Sequence, residues 1–268
     1  MSRLPWREQA AVWLAPSQVG LALRRRGWRQ ALEQHQQDVP AQAGGDQAHA
    51  ALHTLERLAA VAAPARAHAR IVVSNRFVRT ALLADGRALR GAAERQVAAR
   101  ELLRGIHGDA VDGWQVAVDG AAALGMPAVA LDAGWLALLQ RQARHAGLQT
   151  LSVRPLLALA AAQAWPRIAG RHAWLLVTEP DGAVLARIAT PGGWQSLRSL
   201  AFDAALGPQA LLPWLARCAL LDGLDPADLP LLHVDWRGID AGQPPQHTAA
   251  LLQAGWQAEA VPLEARHF

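Results

Sequence analysis

Residues 173–200 read AWLLVTEPDGAVLARIATPGGWQSLRSL, and this stretch decides the fold. Three apolar runs, 173–177, 183–189 and 194–200, are separated by Pro180-Asp181-Gly182 and by Pro191-Gly192-Gly193. Proline fixes φ and glycine frees it, so both clusters read as tight turns and the runs as three strands joined by hairpins. Downstream, apolar residues recur at helical spacing over about 208–221, ahead of a strand-like run at 231–235. A second helical stretch at 247–254 precedes a final strand at 256–261. The order is β-β-β-α-β-α-β.

Working outward, the first half follows the same order more loosely. Runs 11–15 and 19–24 form a hairpin around Pro16-Ser17-Gln18, and the Gln-rich segment 30–46, with Pro40, Gly44 and Gly45, reads as a mobile polar insertion or linker. Ala48, Leu52, Leu55, Leu58, Ala59 and Ala62 predict an amphipathic helix over 46–62. Runs 71–73 and 77–83 read as a second hairpin around Ser74-Asn75, ended by Gly86, with a helix over 88–105 stopped by Gly105 and Gly108. Strands at 114–118, 128–131 and 148–153 then alternate with helices at 133–145, stopped by Gly147, and 155–165. Three hairpin-linked strands followed by two helix–strand units is the order of a ribonuclease-H-like unit. The expected fold class is α/β, with two ribonuclease-H-like lobes in an actin-like arrangement. The first lobe is expected over 1–168, with its polar insertion at about 30–46, and the second over 169–268.

Composition narrows the function classes. Of 268 residues, 52% are hydrophobic and 18% charged, enough to build a core and too apolar for general disorder. There is no lysine, so all 26 basic residues are arginine; guanidinium groups stay charged far past pH 10, which lifts the pI to about 10.9 although the net charge is only +4. The densest basic run, Arg24, Arg25, Arg26 and Arg29, reads as a solvated loop ahead of a phosphate or anionic-lipid contact, and no nucleic-acid partner is expected. A single cysteine, Cys218, excludes an internal disulfide, fits a reducing compartment and reads as a small buried hydrophobe. Residues 1–9 carry Arg3, Arg7 and Glu8 without an apolar core, so no signal peptide is expected. The longest apolar stretches are 155–165, bounded by Arg154 and Arg167, and 121–139, interrupted by Asp132. Both fall short of the roughly 20 apolar residues a spanning helix needs, so the expectation is a protein that is soluble, or attached to a membrane only through a partner.

Resemblance to actin-like ATPases supplies three positions to inspect. In that fold each lobe's first hairpin holds phosphates on an Asp-x-Gly turn, the carboxylate organising the metal and the glycine admitting a close backbone approach. Here the first such turn reads Ala15-Pro16-Ser17: it has no carboxylate, and proline removes a donor amide. The second reads Thr178-Glu179-Pro180 followed by Asp181-Gly182, which is either an ordinary Asp-Gly hairpin turn or a remnant of the cradle. Where the fold places an adenosine-side Gly-Gly pair, this chain has Trp236-Arg237-Gly238. A P-loop is impossible without lysine. No catalytic residue, no cofactor and no metal site are expected.

The other groupings have plainer readings. His49 and His53 lie at i,i+4 with Glu56 one turn on, but Ala50 stands where a zincin glutamate would, so a polar helix face is favoured over zinc. His233 and Asp235 share a strand face without a serine or cysteine nucleophile beside them. Asp222, Asp225 and Asp228 read as a solvated capping loop ahead of a calcium site. Trp114, Trp135, Trp174 and Trp194 are expected in the core, whereas Trp6, Trp13 and Trp28 are candidates for a contact surface.

Three segments carry a narrower resemblance. They are Ile71-Val72-Val73-Ser74-Asn75-Arg76-Phe77-Val78-Arg79, the helix from Ala93-Glu94-Arg95 to His107-Gly108 leading to Trp114-Gln115-Val116, and Gly147-Leu148-Gln149-Thr150-Leu151-Ser152-Val153-Arg154-Pro155. In these the chain resembles the PilM-like proteins of type IV pilus assembly and the cytoplasmic domain of the type II secretion L protein. The resemblance implies a cytoplasmic component, forming a ring or platform and so a candidate homo-oligomer, that docks the amino-terminal tail of a single-pass inner-membrane pilus or secretion protein. The leading expectation is therefore a non-enzymatic scaffold with a degenerate nucleotide site. The alternative is an actin-like ATP-binding protein or ATPase with a rebuilt site around Asp181-Gly182 and Gly192-Gly193. A sugar-kinase-type enzyme would need a catalytic carboxylate, and Asp119, Asp132 and Asp203 all read as loop or capping residues.

Overall fold

The computed structural model describes residues 8–24, 32–41, 46–62, 67–84, 89, 91–118, 125–168, 170–189, 193–201, 207–236 and 247–263. Among them the chain forms two five-stranded sheets of identical topology. In the first, β1 (Glu8–Leu14), β2 (Gln18–Arg24) and β3 (Leu32–Asp38) run antiparallel by hairpin connection, and β4 (Ala67–Val73) and β8 (Leu148–Pro155) add in parallel, giving the order β3-β2-β1-β4-β8. In the second, β9 (Ala173–Glu179), β10 (Gly182–Ala189) and β11 (Gly193–Ala201) are the hairpin strands, and β12 (Pro230–Asp235) and β13 (Gln257–Ala260) add in parallel, giving β11-β10-β9-β12-β13. Each sheet thus reads third, second, first, fourth, fifth strand, the ribonuclease-H-like order.

The helices occupy matching places. α1 (Gln47–Ala62) links β3 to β4 and α3 (Ala133–His145) precedes β8, as α5 (Gly207–Leu221) links β11 to β12 and α6 (Thr248–Gln253) precedes β13. α4 (Leu156–Ile168) joins the two repeats. The departure from symmetry is an insertion between β4 and α3. It holds β5 (Arg79–Leu83), α2 (Ala92–His107), a 3₁₀ turn at Gly108–Gly113, β6 (Trp114–Val118) and β7 (Met126–Asp132), with its own three-stranded sheet ordered β5-β7-β6. The chain separates into two compact units, one of Met1–Phe77, Asp132–Leu156 and Ala265–Phe268, the other of Val78–Leu131 and Leu157–Glu264; the insertion groups with the second.

Two expectations about the elements are corrected. Segment 30–46 is not a linker throughout, because Leu32–Asp38 pairs along its length with β2 as an edge strand. Gln34, Gln36 and Asp38 are exposed while Glu33, His35 and Gln37 are half-buried, so polar residues fill both sides and the apolar alternation that marks a strand is missing. Runs 71–73 and 77–83 are not a hairpin either: β4 pairs with β1 and β8, whereas β5 pairs with β7 in the three-stranded sheet. The chain leaves the first sheet at Ser74, whose buried hydroxyl accepts from Arg76 N at 3.0 Å and whose carbonyl accepts from Phe77 N at 3.1 Å. A local turn closed by a serine looks the same in sequence whether the strands on either side pair or part. Gly86 lies outside the described residues.

Packing explains the rest. β9 is buried at every position, as a central strand covered on both faces requires. Trp174, Leu176, Ala183, Leu185 and Leu231 meet Leu211, Leu215, Cys218 and Ala219 of α5 and Leu251 of α6 in one apolar cluster, so Cys218 is the buried hydrophobe expected. Trp135, Trp174 and Trp194 are buried and Trp114 packs on the insertion's own core, again as expected. Trp13 is not a surface residue. It is 2% exposed and its indole lies across Gly20, its cross-strand partner, where a Cβ would stand 1.7 Å from the ring. Trp6 and Trp28 lie outside the described residues, as do Arg25, Arg26 and Arg29 of the basic run. Among the described residues no helix is long and apolar enough to cross a membrane.

Candidate functional site

Two parallel strands set the geometry. β9 and β12 end side by side with Asp235 opposite Thr178, and the carboxyl ends of parallel strands are where open α/β sheets present ligands. Among the described residues, seven polar side chains are buried, and five of them gather here: Thr178, Glu179, His233, Asp235 and His247. Period-two alternation puts Trp174, Leu176 and Thr178 on one face with Leu231, His233 and Asp235, the face that α5 and α6 cover; Glu179 and Trp236 fall on the other.

On the helix-covered face a hydrogen-bonded chain closes over the strand ends. Thr178 Oγ1 and His233 Nε2 are 2.9 Å apart, and His233 Nδ1 is 2.9 Å from Oγ1 of Thr248, the first residue of α6. A neutral imidazole has one donor and one acceptor nitrogen, so one threonine donates to it and the other accepts. The His247 ring lies 6.2 Å away. Burial, helped by the neighbouring His247, lowers the His233 pKa to about 3. At neutral pH the ring is uncharged and too weak a base to take a proton from a substrate. The arrangement pins β9 and β12 to α6 and engages the Thr178 hydroxyl with His233.

The first hairpin turn is closed as well. Ala15 N donates to Gln18 O at 2.8 Å and Gln18 N to Ala15 O at 3.4 Å, which leaves Pro16 and Ser17 as a two-residue loop. Ala15 is fully buried; Ser17 O accepts from Val39 N at 2.8 Å, and Pro16 O accepts from Gln47 Nε2 at 2.7 Å. Two of the turn's amides are spent within the hairpin and Pro16 has none to offer. In the second turn Gly182 pairs with Glu179, so Pro180 and Asp181 form the loop and Gly182 already belongs to β10. Asp181 is half-buried, and the fully buried indole of Trp236 ends β12 where the resemblance sets a glycine pair. Arg237, Gly238, Gly192, Asp119 and Asp203 lie outside the described residues.

No protein family and no curated protein matches the sequence. Solved structures do match the fold. A PilM-PilN type IV pilus biogenesis complex aligns with 97% of this chain and 91% of its own at 13% identity and a TM-score of 0.63. A Bacteroides thetaiotaomicron protein described as having an actin-like ATPase fold and unknown function aligns with 95% and 91% at 8% identity and a TM-score of 0.60. The chain has the actin-like fold. The cytoplasmic domain of EpsL, an inner-membrane component of the Vibrio cholerae type II secretion system, shares that actin-like fold over 96% of this chain and 86% of its own, at 15% identity and a TM-score of 0.51.

The remaining sequence candidates fall as follows. His49 pairs with Asp46 at 2.5 Å and His53 approaches Glu56 at 3.9 Å, all exposed on α1 or just before it, and no metal-binding group of three or more ligands occurs among the described residues. Asp132 caps α3, accepting from Trp135 N at 2.7 Å. Asp225 and Asp228 cap one turn, but Asp222 is not solvated: it is 8% exposed and binds Arg198 at 2.5 Å and Ser196 Oγ at 2.9 Å. These bonds and the nearby Arg187 outweigh burial and hold its carboxyl below the usual range. Sequence reading paired His233 with Asp235 on one strand face and singled out Thr178 apart from them. It missed Thr248, which binds the second ring nitrogen of His233 from a helix 15 residues downstream, and no local pattern announces such a pairing.

Proposed function

We propose that this chain is a cytoplasmic scaffold of a type IV pilus or secretion platform, that it docks the amino-terminal tail of an inner-membrane partner, and that its nucleotide site is degenerate. On this reading the two ribonuclease-H-like lobes are residues 1–168 and 169–268. The observation that carries it is the closed first turn: Ala15, Pro16 and Ser17 offer no carboxylate, and two of the turn's amides are spent within the hairpin. The second turn supports it, since the Thr178 hydroxyl is committed to His233 and the Trp236 indole fills the end of β12. A frame kept without its phosphate cradle fits a role in assembly, and likeness in fold to a PilM-PilN complex and to cytoplasmic EpsL suggests the class of partner. The reading assigns no chemistry to the chain.

The test is capture of synthetic amino-terminal tails from single-pass inner-membrane pilus and secretion proteins of the same organism. Saturable binding of one tail, with a scrambled peptide inert, is the expected result. Failure of every tail removes the docking role.

A second reading, an ATP-binding protein with a rebuilt site, draws on Asp181, Glu179 and Asp235, three carboxylates at the strand ends of the second sheet. It requires that alanine at these positions abolish binding of magnesium-ATP.

A further inference from the structure

Helix α5 buries one side and leaves the other largely apolar. Leu211, Leu215, Cys218 and Ala219 pack into the core of the second sheet. Pro213, Ala216, Arg217 and Leu220 turn away from them at helical spacing and are exposed, and of these only Arg217 is charged. Leu220 is 78% exposed and the neighbouring Leu221 is 64% exposed. Among the described residues, the other large exposed apolar side chains stand singly along the chain. A lone exposed leucine is ordinary; two together on an apolar helix face mark a contact surface.

The turn that follows α5 fixes what surrounds these leucines. Asp222 is tied inward to Arg198 and Ser196. Leu224 N donates to Ala219 O at 3.0 Å, and its side chain packs on the core. Asp225 and Asp228 are exposed, and backbone amides hold both carboxylates in place. Asp228 Oδ2 accepts from Asp225 N at 2.7 Å, and Asp225 Oδ1 accepts from Ala227 N at 3.0 Å. The leucines therefore lie between a guanidinium one turn before them and two carboxylates just past the helix end. That order complements itself when inverted. An anionic surface would be repelled by the aspartates, and an all-basic segment by Arg217. A second copy turned about a two-fold axis beside Leu220 and Leu221 meets neither conflict: leucines pack on leucines, and Arg217 of each copy approaches the acidic turn of the other.

We propose that this face of α5 and its following turn is a two-fold homodimer interface, separate from any tail-docking surface. One helix face and one turn make an interface at or below the roughly 1,200 Å² of a standard complex, so the dimer is reversible. Sedimentation velocity of the full chain over about a hundredfold range of concentration tests this. The parent chain should pass from monomer to dimer across that range. Leu220→Gln combined with Leu221→Gln should weaken the dimer about tenfold or more. Arg217→Glu and Asp225→Arg should each weaken it about fivefold, since a symmetric dimer loses two rim pairs at once. The chain carrying both charge changes should regain parental affinity, which a merely damaged fold would not do. A parent chain that stays monomeric overturns the pairing. So does a dimer indifferent to the leucine changes, or a double charge variant that stays weak. A monomeric parent that captures a tail peptide, with capture lost in the leucine variant, would give this face to the tail and overturn the pairing as well.

Discussion

His233 is the residue on which the physics is most explicit. Its pKa of about 3 lies below the ordinary value of 6.5, so the unfolded chain takes up a proton first as the pH drops. The stability this group contributes is complete above about pH 6.5 and is lost as the pH falls from there toward 3. Between pH 7 and pH 5 the loss from this residue is about 2 kcal/mol. His233→Asn, which keeps a hydrogen-bonding side chain that does not titrate, should flatten the pH dependence by that amount; denaturant unfolding at the two pH values measures it. Gly20 gives a second residue-scale outcome. An alanine there drives a Cβ into the Trp13 ring and should cost about 2 kcal/mol of overpacking, whereas in a Trp13→Ala background the same change should cost little. A double-mutant cycle by thermal unfolding reads the difference.

At the scale of elements, Asp222 fastens the end of α5 to the hairpin beneath it. It binds Arg198 and Ser196 of β11 and lies 3.9 Å from Arg187 of β10. Asp222→Ala should destabilise the chain by about 2 kcal/mol, because it strips partners from half-buried arginines, and added salt should shrink the difference between variant and parent. Elements were legible wherever apolar periodicity was clean: the hairpin of β1 and β2, helices α1 and α3, and all seven elements of the second repeat lie where the pattern of residues 11–62 and 133–261 put them. β3 was illegible because an edge strand of Glu, Gln and His carries no alternation. The inserted sheet was misread because a Ser74 turn does not reveal that the next strand joins another sheet. At the strand ends, Thr178 and the pair His233 and Asp235 were visible in the sequence, but the chain from Thr178 through His233 to Thr248 depends on register between strands and on a helix farther along.

The whole molecule is a duplicated frame, two sheets of one topology with an insertion in the first repeat, and the account turns on what that frame has lost. On the proposed reading, closed turns at Ala15-Pro16-Ser17 and around Thr178 leave a scaffold that acts through partner contacts and not through phosphate chemistry. Isothermal titration of the full chain with magnesium-ATP tests this most directly. The account predicts no saturable heat at millimolar nucleotide and no rise in unfolding temperature in the same mixture. A saturable isotherm with micromolar affinity would contradict it.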